Sequence, residues 1–283
     1  MQDVTYFAPK EVNEALKLLT EHGEKITILA GGTDLVPQMN YDLLKPDIFL
    51  YVGGLGVDYI KQEDGKIVIG AATTWSKVAA SSLIADKASA LAQAAQNSST
   101  VAIKSTGTIG GNLGTASPAA DLATPLLVMD AELLLATTGG NRVVALRDFF
   151  IGPGETQLRP DELLLEVHVP MLKGKSVFLK LGRRKAMTLS VVNVAVRLEM
   201  SGTACDDARI ALGAMAPTPI RCYKAEGLLK GKKIDKALLN DCAAQAVAES
   251  DPIDDGGATA WYRKKAGTAL VYRALEQAAG NEA

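Results

Sequence analysis

The stretch Ile26-Thr27-Ile28-Leu29-Ala30-Gly31-Gly32-Thr33-Asp34-Leu35 decides how this chain is read. Its first four residues form a short apolar run and predict a strand. The strand passes without a linker into two adjacent glycines and a hydroxyl side chain. Paired glycines lack the Cβ atoms that would hold a ligand away from the backbone. Consecutive N–H groups in such a turn can form a concavity for an anion. Just upstream, Val12, Ala15, Leu16 and Leu19 recur at helical spacing after Pro9, so residues 11–22 predict a helix. A plain strand-to-helix turn is the alternative reading of the glycine pair by itself.

A second segment has similar chemistry. Thr108-Ile109-Gly110-Gly111-Asn112-Leu113-Gly114, followed by Thr115, Ala116 and Ser117, reads as a loop of glycine and short hydroxyl and amide side chains. A helix is predicted over 121–130, with Asp121 near its N-cap. Glycine is entropically costly in a loop that binds nothing. Two such loops suggest one ligand held from two sides, and a dinucleotide, with a pyrophosphate and two ends, fits that better than a mononucleotide.

Around these segments lie strand candidates at 49–52, 67–71, 133–136, 143–146 and 163–169, with a mostly helical stretch over 74–95. Residues 171–175 form a polar linker, and the character changes there. Strands follow at 177–181, 191–200 and 209–215, and helices run from Ile220 to the end. Val192, Val194, Val196 and Leu198 alternate with Asn193, Ala195 and Arg197, which predicts a sheet with one buried face. A first α/β part, 1–172, thus precedes an antiparallel sheet with helices, 173–283, an α+β class overall.

Composition narrows the chemistry. With 283 residues, 48% hydrophobic and 22% charged, the chain can build a packed core, and a net charge of −2 argues against a nucleic-acid partner. The basic runs Arg183-Arg184-Lys185, Lys232-Lys233 and Arg263-Lys264-Lys265 are short and read as solvated faces. No apolar run reaches the roughly 18 residues of a membrane span. The start shows no basic segment ahead of an apolar one, so the cytoplasm is expected. Cys205, Cys222 and Cys242 form no C-x-x-C pair, and His22 and His168 are isolated, so no disulfide framework or metal centre is expected in this chain. No G-x-G-x-x-G follows a strand, and no G-x-S-x-G occurs. Gly174-Lys175-Ser176 mimics the end of a phosphate-binding loop, but Val169 stands where the first glycine belongs, so it reads as a turn. An organic cofactor, or none, remains.

At this point the sequence resembles a known family: the FAD-binding subunits and domains of xanthine dehydrogenase, aerobic carbon monoxide dehydrogenase, nicotinate dehydrogenase and 4-hydroxybenzoyl-CoA reductase. The resemblance is carried by Ile28-Leu29-Ala30-Gly31-Gly32-Thr33-Asp34-Leu35, by Thr108-Ile109-Gly110-Gly111-Asn112, and by Ser117-Pro118-Ala119-Ala120-Asp121-Leu122. Phe7-Ala8-Pro9, Leu163-Leu164-Leu165-Glu166-Val167 and Phe178-Leu179-Lys180-Leu181-Gly182-Arg183-Arg184 extend it over nearly the whole chain. It implies a two-lobed FAD-binding module of the vanillyl-alcohol oxidase (PCMH) type, with lobes of about 1–57 and 58–172, followed by a smaller C-terminal domain of the carbon monoxide dehydrogenase flavoprotein type.

The resemblance also implies roles. Leu29, Ala30, Gly31, Gly32, Thr33, Asp34, Leu35 and Val36 would wrap the FAD pyrophosphate. Thr108, Ile109, Gly110, Gly111 and Asn112 would hold the other side of the phosphates and the ribitol. Asp121 would sit near the adenosine portion, Leu164 against the flavin or adenine, and Lys180 near the cofactor. FAD would be held noncovalently. The implied partners are an iron–sulfur subunit with two [2Fe–2S] clusters and a molybdopterin-binding large subunit, with NAD+ or another acceptor taking the electrons. Some relatives insert a cysteine-bearing loop for a [4Fe–4S] cluster; with no cysteine before Cys205, that cluster is not expected here. A non-catalytic sensor of a nucleotide or small molecule, built on the same two loops, is the competing class.

Overall fold

The structure is a computed structural model that describes residues 4–184 and 188–280, so Lys185 of the first basic run lies outside the described residues. The chain opens with β1 (Thr5–Phe7), α1 (Val12–His22), β2 (Ile26–Leu29), α2 (Leu35–Asn40) and β3 (Ile48–Tyr51). The three strands form a parallel sheet in the order β1-β3-β2. Ala15, Leu16 and Leu19 of α1 are buried against Leu50, as the helical spacing predicts. Gly23, at φ +53°, ends α1 in a conformation that an L side chain rarely adopts.

The second unit starts with the hairpin β4 (Ile60–Glu63) and β5 (Lys66–Gly70). Six short helices follow: α3 (Trp75–Ala80), α4 (Ser82–Lys87), α5 (Ser89–Asn97), α6 (Val101–Thr106), α7 (Ile109–Gly114) and α8 (Ala123–Val128). The chain returns through β6 (Glu132–Thr137), β7 (Gly140–Ala145), α9 (Leu146–Phe149), β8 (Phe150–Gly152), β9 (Glu155–Thr156) and β10 (Leu163–Pro170). An antiparallel sheet, β4-β5-β10-β6-β7, backs the helices through Ile67, Ile69, Leu133, Leu135, Val167 and Val169. Leu165 is an extra residue in the β10–β6 register, a bulge that re-aims its neighbour Leu164.

The third unit is an antiparallel sheet of β11 (Lys175–Gly182), β12 (Ser190–Ser201), β13 (Ala204–Gly213) and β14 (Ile220–Arg221), with α10 (Tyr223–Leu229), α11 (Lys236–Ala248) and α12 (Ala260–Ala278). The architecture is α+β, as expected.

Three readings are corrected by the fold. Residues 109–114 are helical rather than a loop, because Thr108 caps α7 by accepting the Gly111 N–H at 3.0 Å. Asp121 does not cap α8; Leu122 holds the cap position and the Asp121 carboxylate turns elsewhere. The alternation in β12 does not separate a buried face from a wet one, since every residue from Ser190 to Leu198 is buried. Val192, Val194 and Val196 join the core with Val271 and Ala274 of α12. Ala195 instead joins the core of the preceding unit with Leu126 of α8.

Candidate cofactor cleft

A cleft of about 650 Å³ opens where the three units meet, within the range of small-molecule and cofactor sites. Ala30, Gly31, Gly32, Thr33, Asp34 and Leu35 line one side. Thr108, Gly110, Gly111 and Asn112 line another, and Asp121, Leu164 and Lys180 complete the wall. Leu29, Val36 and Ile109 do not face it; Ile109 is fully buried in the core of the second unit.

The two glycine segments differ in what they can offer. Among the described residues, the N–H groups of Gly31, Gly32, Thr33 and Asp34 donate to no protein acceptor. Gly32, at φ +68°, turns the chain there. The Asp34 carboxylate, which would repel an anion, accepts from Gln38 Nε2 at 2.6 Å. In the second segment the N–H groups are already committed. Ile109 donates to Thr73 O, Gly110 to Ala71 O, Gly111 to Thr108 Oγ1 and Asn112 to Thr108 O. Gly110 permits the approach to Ala71, whose carbonyl oxygen would lie 2.7 Å from an added Cβ. This segment therefore meets a ligand through side chains and a glycine surface. Asn112 lines the cleft, and its Oδ1 is buried with no hydrogen-bond partner among the described residues, an unsatisfied acceptor at the cleft wall.

The third unit reaches in through Lys180. Its Nζ donates to Asp121 Oδ2 at 2.5 Å, and both side chains are almost buried. Asp121 Oδ1 accepts from Ser190 Oγ at 2.6 Å and from Asn193 Nδ2 at 3.2 Å. An ammonium has three donors, so Lys180 has two left for a ligand.

Several wall residues escape a motif reading. Ile28, Val52, Leu55, Val57, Ala71 and Ala72 line the inner wall between the first two units. As apolar residues they look like any core position. Trp75 also lines the cleft, and its indole N–H donates to Thr108 O at 3.2 Å. Ser99, with φ +63°, is a wall residue in a conformation uncommon for non-glycine. Asn193, buried behind the wall rather than on it, had a signal available: an amide in the middle of a valine run.

A wall with free N–H donors, an ammonium, an orphan amide oxygen and long apolar stretches fits a dinucleotide with phosphates, hydroxyls and two ring systems. The chain matches two sequence families: the FAD binding domain in molybdopterin dehydrogenase over residues 2–172, and the CO dehydrogenase flavoprotein C-terminal domain over residues 177–278. The glyceraldehyde dehydrogenase medium chain of Sulfolobus acidocaldarius is 29% identical over 98% of this chain and 99% of its own length. The carbon monoxide dehydrogenase medium chain of Afipia carboxidovorans is 33% identical over 96% of each. In structure, the chain superposes on one from the cyanide-inactivated form of the Cu,Mo-CO dehydrogenase with a TM-score of 0.94, at 32% identity, covering 99% of this chain and 98% of the other. FAD is thus its cofactor, and the chain belongs to the FAD-binding medium-chain subunits of the carbon monoxide and xanthine dehydrogenase family of molybdenum hydroxylases.

Proposed function

We propose that this chain carries the flavin between the [2Fe–2S] clusters of an iron–sulfur partner and NAD+ or another electron acceptor, in a cytoplasmic complex whose third component is a molybdopterin-binding large subunit. FAD, when bound, supplies the redox chemistry, and the protein binds and orients it. The observation that carries the reading is the pairing, in one cleft, of free N–H groups at residues 31–34 with Lys180 from the third unit. Gly31, Gly32, Thr33 and Asp34 donate to the pyrophosphate, and Leu29, Ala30, Leu35 and Val36 shape the turn that presents them. Thr108, Gly110 and Gly111 form the opposite wall, Ile109 anchors that segment in the core behind it, and the Asn112 amide pairs with a sugar or ribityl hydroxyl. Lys180, paired with Asp121, offers its remaining donors to the cofactor, and Leu164 packs an apolar surface against a ring. The boundary between the FAD-binding part and the C-terminal domain lies near residue 172, between β10 and β11.

Among the described residues no group of three or more His, Cys, Asp or Glu side chains is placed to hold a metal ion. No described helix is long and apolar enough to cross a membrane. The test is a division of labour. The chain loaded with FAD alone is expected to leave xanthine, carbon monoxide and aromatic heterocycles untouched, while in the assembled complex the bound flavin bleaches anaerobically when the substrate is added. Hydroxylation by the metal-free isolated chain would overturn the proposal, as would a flavin that stays oxidised when substrate is added to the active complex anaerobically and without acceptor.

A further inference from the structure

Behind the cleft wall lies a buried polar chain that the cofactor contacts do not account for. Lys180 on β11, Asn193 on β12 and Gly213 on β13 stand opposite one another across the sheet. A Cβ on Gly213 would overlap the Asn193 side chain, so the glycine makes the room in which the amide sits. Asn193 is fully buried, yet both ends of its amide are satisfied. Oδ1 accepts from Thr124 Oγ1 at 2.7 Å, and Nδ2 donates to Asp121 Oδ1 at 3.2 Å. Thr124, itself fully buried on α8, fixes the amide so that its N–H side faces the carboxylate.

We propose that Asn193 is a positioning residue for the cofactor site, acting through Asp121 on Lys180; the inference rests on the assignment of Lys180 to the cofactor. The physical reason is competition for donors. A buried carboxylate needs hydrogen bonds at both oxygens. Ser190 and Asn193 satisfy Oδ1, so Oδ2 takes a single N–H from Lys180, which lines the cleft, and the other two are left for a ligand. With the amide gone, Oδ1 is left with Ser190 alone, and the lysine, already bonded to Oδ2, has donors to give it. The ammonium then turns toward the carboxylate and away from the cofactor. Asparagine at this position, interrupting the run of valine and alanine from Val191 to Val196, serves to keep the lysine free.

The test is a double-mutant cycle on the full chain, read as FAD affinity by fluorescence titration. Asn193→Leu is expected to weaken FAD binding about tenfold, the size of one lost charge-assisted hydrogen bond. In a Lys180→Met background the same substitution should change affinity by about twofold or less, because the group it acts through is absent. Thr124→Val, which removes only the hydroxyl that orients the amide, should act in the same direction and show the same dependence on Lys180; it carries the test if Asn193→Leu does not fold. An equal loss in both backgrounds would show a merely structural role and overturn the proposal while leaving Lys180 at the cofactor. Unchanged affinity in Lys180→Met itself would remove Lys180 from the cofactor, and the proposal with it.

Discussion

A Cβ on Gly31 would overlap the carbonyl of Thr106, so the first glycine segment touches the last residue of α6 backbone to backbone. Thr106 lies just ahead of the second segment, and this contact sets how far apart the two walls of the cleft stand. Gly31→Ala is therefore expected to push the walls apart, at a stability cost of about 1–3 kcal/mol. It should weaken FAD by roughly a hundredfold through misplaced donors. Gly227→Ala is the comparison: Gly227 is exposed within α10, with nothing near its missing Cβ. That variant should gain about 0.5–1 kcal/mol from helix propensity and bind FAD as before. Calorimetric melting and FAD titration read both effects, and wild-type affinity in Gly31→Ala would show that the contact does not gauge the cleft.

Asn112 should affect stability and binding with opposite signs. Its buried Oδ1 has no partner among the described residues, a desolvation cost that the fold alone does not offset. Asn112→Ala is expected to leave the FAD-free protein as stable as the wild type or more so, while weakening FAD by about tenfold. Melting curves with and without FAD separate the two. A variant destabilised equally in both forms would mean that Asn112 serves the fold alone.

Glu162 predicts an acid-sensitive term. Its burial alone would raise its pKa, but the Arg142 guanidinium, the Arg159 N–H and the charges of both arginines outweigh that and hold the carboxyl below the usual glutamate range. A depressed folded pKa means that the contribution is fully present above the unfolded value, near 4.3, and is lost as pH falls through the lower folded value. Glu162→Gln should cost roughly 1.5–3 kcal/mol at neutral pH. The gap in melting temperature from wild type should narrow as pH drops below the unfolded value and through the lower folded one. A gap constant over that window would contradict the linkage.

The three cysteines should be silent in the native protein. Cys205, Cys222 and Cys242 are free and buried, and burial pushes Cys205 up to about 11 and Cys242 up to about 12, with Cys222 higher still. The thiolate is the reactive form. A thiol reagent at pH 8 is therefore expected to label none of them until the chain unfolds, and then all three. Labelling at a rate faster than global unfolding would reveal local opening of the C-terminal core.

Much of this protein was legible before folding. The residue types at 30–34 and 108–112, the helical spacing in α1 and the strand runs pointed to a cofactor cleft in an α+β chain, and the sequence families and the fold agree with that. Short elements escaped: β1, α2, β4 and the β8–β9 pair carry too few periodic residues to stand out. The helical state of 109–114 escaped because glycine disfavours helices, and only the Thr108 cap and the carbonyls of Ala71 and Thr73 stabilise it there.

Local chemistry by itself determined which segments could approach a ligand, since the absence of a Cβ and the presence of a hydroxyl or amide are properties of the residue. Tertiary structure alone decided which N–H groups stay free. Those of residues 31–34 do, and those of 109–112 do not: Ile109 and Gly110 donate to Thr73 and Ala71, distant along the chain, and this docking holds the turn in which Gly111 and Asn112 donate to Thr108. It also decided that the polar face of β12 is buried and that Lys180 meets Asp121 from 59 residues away. A two-residue period says that a strand has two faces. Whether the second meets water or another packed unit depends on what folds against it, and here that is α8, which buries Asn193 behind the wall of the cofactor cleft.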